Sequence, residues 1–145
     1  MSNTFTISLP LSEQTKFNRW VRSQSWETKT KIQKVVYSAV MKEHLLSVRQ
    51  APVNYGRLRA SLNMMFSRNL DKPGGMVYAN ARYAPYQEFG TGKRVRVYPG
   101  YSRYAMQFKG RGIREVNIRP HPFFINSFEL SKRWMLKELN KLGFK

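Results

Sequence analysis

Apolar and polar residues alternate from position 4 to 9. Phe5, Ile7 and Leu9 stand against Thr4, Thr6 and Ser8, which predicts a short N-terminal strand ended by Pro10. Ser12 is placed to cap a first helix, in which Phe17, Trp20 and Val21 recur at i, i+3, i+4 on one face. A second helix is expected to start at 25–28, with Ile32, Val35, Val36, Ala39, Val40 and Leu46 as its apolar stripe. Lys29, Lys31, Lys34 and Lys42 fall mostly outside that stripe. Pro52 ends the helix, because the residue before a proline avoids the α region. The period then changes. Residues 62–68 and 76–80 read as strands joined by the turn Asp71-Lys72-Pro73-Gly74-Gly75, and 95–98, 104–108 and 113–118 are weaker strand candidates. Pro122 opens a last helix carrying Phe124, Phe128, Ser131, Met135, Leu136 and Leu139, with Gly143 at its C-terminal cap.

This order predicts an α+β fold: an N-terminal strand and helices, an antiparallel β-sheet, and a C-terminal helix. The 145 residues suit one domain spanning 1–145 with a hydrophobic core of its own. The chain has no cysteine, which excludes a disulfide scaffold and thiolate zinc sites and fits a reducing compartment. No run approaches the roughly 18 apolar residues of a membrane span, so no membrane partner is expected. The N-terminus does not read as a secretory signal.

Charge adds what the pattern does not. Twenty-six basic residues face eight acidic ones, for a net charge of +18. That imbalance calls for a polyanion, an anionic lipid surface or acidic neighbours in an assembly. The segment 93–119 is the richest in this respect. Lys93, Arg94, Arg96, Arg103, Lys109, Arg111 and Arg114 are interleaved there with Tyr98, Tyr101, Tyr104 and Phe108. Cations neutralise phosphates and rings stack on bases, but the ordering matches no RRM or KH signature. The same composition equally suits a basic hairpin whose rings are buried against another subunit.

Catalytic chemistry finds little support. His44, His121 and the scattered carboxylates show no close-spaced ligand pair, so no metal or other cofactor is expected. Ser61, His121 and Glu88 could form a nucleophilic set only by long-range convergence, and no nucleophile elbow surrounds any serine. A ribonuclease built on His121, Glu88 and an arginine is the best enzymatic alternative, although His121 between two prolines reads as a rigid turn. Gly90-Thr91-Gly92 before Lys93-Arg94 lacks the spacing of a phosphate-binding loop.

Three stretches stand apart from the periodic background. The first runs Ala51-Pro52-Val53-Asn54-Tyr55-Gly56-Arg57-Leu58-Arg59-Ala60-Ser61-Leu62. The second is Tyr83-Ala84-Pro85-Tyr86-Gln87-Glu88-Phe89-Gly90-Thr91-Gly92, and the third is Arg119-Pro120-His121-Pro122-Phe123-Phe124. The pattern of 83–92 fits neither a regular helix nor a regular strand. Gly56 suits a positive-φ turn, Leu58 and Leu62 point to the core, and Phe123 suits an anchor for the last helix. Glu88 is expected to pair with Arg57 or Arg59.

Taken together and in this order, the three stretches resemble the small head–tail connector proteins of siphophages, the neck and tail-completion proteins of tailed phages. The shared features are a P-V-x-T-G-x-L-R-x-S-like block, a Y-A-x-Y/F-x-E-F-G-T-like block and a proline–phenylalanine block before a C-terminal helix. Tyr55 departs from the usual threonine and Asn54 from the usual aspartate, which alters the local turn bond. The segment 93–119 falls in the family's variable region and inherits nothing. The resemblance covers roughly residues 12–140.

It implies a non-enzymatic structural protein of the virion, made in the host cytoplasm and located at the head–tail junction. It further implies a homo-oligomeric ring joining capsid connector to tail tube, six-fold by expectation with twelve-fold as the alternative. Viral double-stranded DNA passes through such a ring, and neighbouring connector and tail-tube proteins flank it. The motif residues are then Pro52, Gly56, Arg57, Leu58, Ser61, Tyr83, Ala84, Glu88, Phe89, Gly90, Gly92, Pro122 and Phe123. The segment 93–119 is expected to project as a loop or hairpin onto another subunit or the DNA. The alternative is a basic nucleic-acid-binding module or the ribonuclease above.

Overall fold

The computed structural model describes residues 9, 11–51, 57–81, 84–89 and 122–145, with the backbone alone at 57, 86, 87 and 89. The expected N-terminal strand at 4–9 and the strand candidates between 95 and 118 lie outside these residues. Within them the elements are α1 (Leu11–Arg22), α2 (Trp26–Gln50), α3 (Arg57–Ser61), β1 (Leu62–Phe66), β2 (Gly75–Ala79), α4 (Ala84–Phe89) and α5 (Ile125–Lys141). The chain is an α+β protein with an antiparallel sheet and a C-terminal helix, as the pattern predicts.

The long helix α2 organises the rest. Ser25 caps it by accepting a hydrogen bond from the Thr28 amide, 3.3 Å away, and Ala51 closes it in an extended conformation just before Pro52. Ile32, Val36, Ala39 and Val40 are buried along its stripe, but so are Glu43 and Ser47. Leu46, expected in the stripe, is only half-buried. Helix α5 lies antiparallel against α2. Val36 clusters with Leu139 near the end of α5, Val40 clusters with Ile125 at its start, and Lys42 sits 5.4 Å from the centre of the Trp134 ring. Helix α1 closes the Leu139 end through Val21, with Phe17 and Trp20 around Phe144. Ser12 does not cap α1, which already begins at Leu11. Leu136, expected in the stripe of α5, is exposed instead. Gly143 follows α5 with φ of 105°, the left-handed conformation that glycine adopts without a Cβ penalty.

The hairpin packs on a different side of α2. β1 and β2 pair from Leu62↔Ala79 to Phe66↔Gly75 without a bulge. Leu62, Val77 and Ala79 face the core, the Phe66 ring meets Tyr37 of α2, and His44 Nε2 lies 3.0 Å from the Leu62 carbonyl. Lys29 pairs with Asp71 in the turn and holds that carboxyl below its usual range. The two layers approach closely at Gly75. A Cβ there would stand 2.5 Å from Val40 Cγ2 and 2.9 Å from the Met65 carbonyl oxygen. One of those neighbours is backbone and cannot swing away, so Gly75→Ala is expected to destabilise the protein by about 1–3 kcal/mol in urea unfolding.

Candidate functional site

The three stretches singled out in the sequence meet in the folded chain. Leu58 from the first, Ala84 from the second, and Phe123 and Phe124 from the third lie in one buried cluster with Val40, Leu62, Val77 and Ala79. The first stretch arrives through α3, where the Ser61 hydroxyl donates to the Leu58 carbonyl at 2.8 Å and Arg59 Nε donates to the Ala51 carbonyl at 3.3 Å. The second arrives through α4. This corrects the expectation of irregular backbone there: Ala84–Phe89 is helical. Pro85 sits in its first turn, where a missing N–H costs no intrahelical bond. Ala84 and Glu88, four residues apart, share the buried face of α4.

Glu88 joins the second stretch to the third. Its Oε2 accepts hydrogen bonds from the amides of Phe123 at 2.8 Å and Phe124 at 2.9 Å, and its Oε1 accepts from Ile125 at 2.9 Å. These amides lie at the entry to α5. Phe124 holds the N-cap position, and its carbonyl receives the first helical bond from Phe128. A phenylalanine has no side-chain oxygen to cap with. The acceptor is therefore supplied from 36 residues upstream, where its negative charge also meets the positive end of the helix dipole. Ser127 completes the cap by donating to the Phe123 carbonyl at 2.6 Å. Burial pushes the Glu88 carboxyl up from its ordinary value, and the three amides pull it partly back.

The partners of Glu88 among the described residues are backbone amides. Arg59 is engaged at Ala51, and the Arg57 side chain lies outside the described residues. Both oxygens of Glu88 accept from amides, and the Ser61 hydroxyl donates to the Leu58 carbonyl. Among the described residues no group of three His, Cys, Asp or Glu side chains could hold a metal ion, and no helix is long and apolar enough to cross a membrane.

Pro122 is half-buried at the entry to α5. Pro52, Gly56, Tyr83, Gly90, Gly92 and His121 lie outside the described residues, as do Lys93, Arg94, Arg96, Tyr98, Arg103, Lys109, Arg111 and Arg114; Phe89 is described by its backbone alone. The expected projection of 93–119 falls there too. Glu88 stands just before the span 90–121, and the amides it holds stand just after it.

Sequence reasoning missed a further buried carboxyl. Glu43 and Ser47 of α2 and Ser131 of α5 are buried, and Glu43 Oε1, Ser47 Oγ and Ser131 Oγ have no hydrogen-bond partner among the described residues. Burial raises the Glu43 carboxyl to about 8. A signal was available, because positions 43 and 47 continue the 32–36–40 stripe of α2 at helical spacing.

Compared with known proteins, the chain matches no family model, no curated protein and no solved structure.

Proposed function

We propose that this protein is a structural ring component of a tailed-phage neck, joining the capsid connector to the tail tube with DNA passing through the ring. The observation that carries the reading is the Glu88 latch. The most distinctive carboxylate of the chain is spent on architecture: it fastens α4 to α5. A carboxylate committed to joining two helices suits a structural subunit. The convergence of Leu58, Ala84 and Phe123 in one core supports the three stretches as a structural signature rather than a reaction centre. Even with every carboxylate paired, eighteen basic side chains remain unneutralised. Such a surface serves polyanionic DNA or acidic neighbouring rings.

The same charge favours a second reading, a basic nucleic-acid-binding module. Light scattering after size exclusion, with a salt series of DNA binding, separates the two. The neck protein is expected at a discrete ring mass, six times the 17.1 kDa chain, with weak DNA binding outside the assembled particle. A species that stays monomeric and whose DNA affinity falls steeply with salt overturns the ring and establishes the second reading.

A further inference from the structure

We propose that the outer face of the β1–β2 hairpin, centred on Met65 and Met76, is a contact surface for a second copy of this chain. The inference rests on the homo-oligomer part of the function proposed above and gives it a location. Side chains alternate across the sheet, so Leu62, Val77 and Ala79 face the core while Asn63, Met65, Met76 and Tyr78 face away. Met65 and Met76 are cross-strand partners, 55% and 38% exposed.

Charge identifies the occupant. Neither strand contains a charged residue, whereas every described helix does. A copy carrying +18 is repelled by another copy wherever basic surfaces meet, so a self-contact must form where the surface is neutral. DNA or an acidic protein is drawn instead to the lysines and arginines of the helices. The composition agrees, because interface centres are enriched in Met and Tyr and depleted in Lys and carboxylates. The unbroken register matters as well. The two strands carry no bulge, proline or lysine of the kind that blunts a sheet against association.

The test pairs methionine oxidation with a charge variant. Peroxide converts an accessible methionine to its sulfoxide, and Met41 on α2, 47% exposed, is the internal reference. In assembled wild-type protein, Met65 and Met76 are expected to oxidise at least fivefold more slowly than Met41, and to reach its rate on dilution to monomer. Met65→Lys with Met76→Lys is expected to shift the protein to 17.1 kDa in light scattering. At a dilution where wild type is also monomeric, its melting midpoint should lie within about 2 °C of wild type, because both side chains are exposed. If the double variant still assembles, or both methionines oxidise as fast as Met41 within the oligomer, this surface is refuted while the ring stands. Equal protection in oligomer and monomer refutes it too, since the chain's own residues then cover the face. A wild-type protein monomeric at every concentration overturns the surface and the ring together.

Discussion

Glu88→Ala is expected to lower the stability of this protein by about 3–6 kcal/mol, a large part of the roughly 5–15 kcal/mol available to a domain. Three backbone N–H groups lose a charged acceptor at once, in a place where water does not replace it. Each amide left unpaired in the interior costs about 1–3 kcal/mol. Relief of the carboxylate's own burial offsets part of this, which keeps the total below the simple sum. Glu88→Gln retains the shape and one acceptor oxygen but turns an amide NH₂ toward at least one of the three donors, so about half the loss is expected. Glu88→Asp withdraws the carboxylate by one methylene and should resemble alanine more than glutamine. Urea unfolding followed by circular dichroism measures the losses. Hydrogen exchange locates them: the amides of Phe123, Phe124 and Ile125 should become the most accelerated of α5, while those around Leu139 change little. Equal exchange across the whole helix would mean that Glu88 is not its cap.

That latch also marks the limit of what the residues alone disclosed. Helix α2 was legible because Ile32, Val36 and Val40 keep helical spacing between a capping serine and a proline. The hairpin was legible because short apolar runs of strand length flank the turn Asp71-Lys72-Pro73-Gly74-Gly75. Helix α4 was not, since six residues holding a proline and followed by a glycine are too few to show a period. The three stretches meet in one core, yet the amides that hold Glu88 were not foreseen. Side-chain reasoning looks for a cation, and backbone amides carry no letter in the sequence. The available hint was negative: the entry to α5, Pro122-Phe123-Phe124, offers no Ser, Thr, Asp or Asn to cap it, so an acceptor had to come from elsewhere. Glu43 and Ser47 failed for the opposite reason. Their letters read as solvent, while their spacing already placed them inside.

Glu43 provides the other large effect, and its sign is opposite to that of most buried residues. Its carboxyl titrates near 8 in the folded protein against 4.5 in a solvated reference, and the cause is desolvation. The folded state therefore holds the proton more tightly than the unfolded state. Below about pH 4.5 the group is neutral in both states and costs nothing through ionisation. As pH rises from 4.5 to about 8, the unfolded chain releases the proton first and stability falls. Above 8 the full difference is lost, up to about 5 kcal/mol. Glu43→Gln removes the titration and should match wild type near pH 5 but exceed it by several kcal/mol at pH 9. Glu43→Leu should add about 1–3 kcal/mol over Glu43→Gln at both pH values, because it also deletes the unpartnered buried oxygen. Other groups titrate over this range in both proteins, so the decisive quantity is the difference between variant and wild type from parallel urea titrations. A difference that stays flat from pH 5 to 9 would place the Glu43 carboxyl in water and refute its burial. One that climbs across the window shows that at neutral pH the fold packs around a protonated carboxyl, held neutral by its burial.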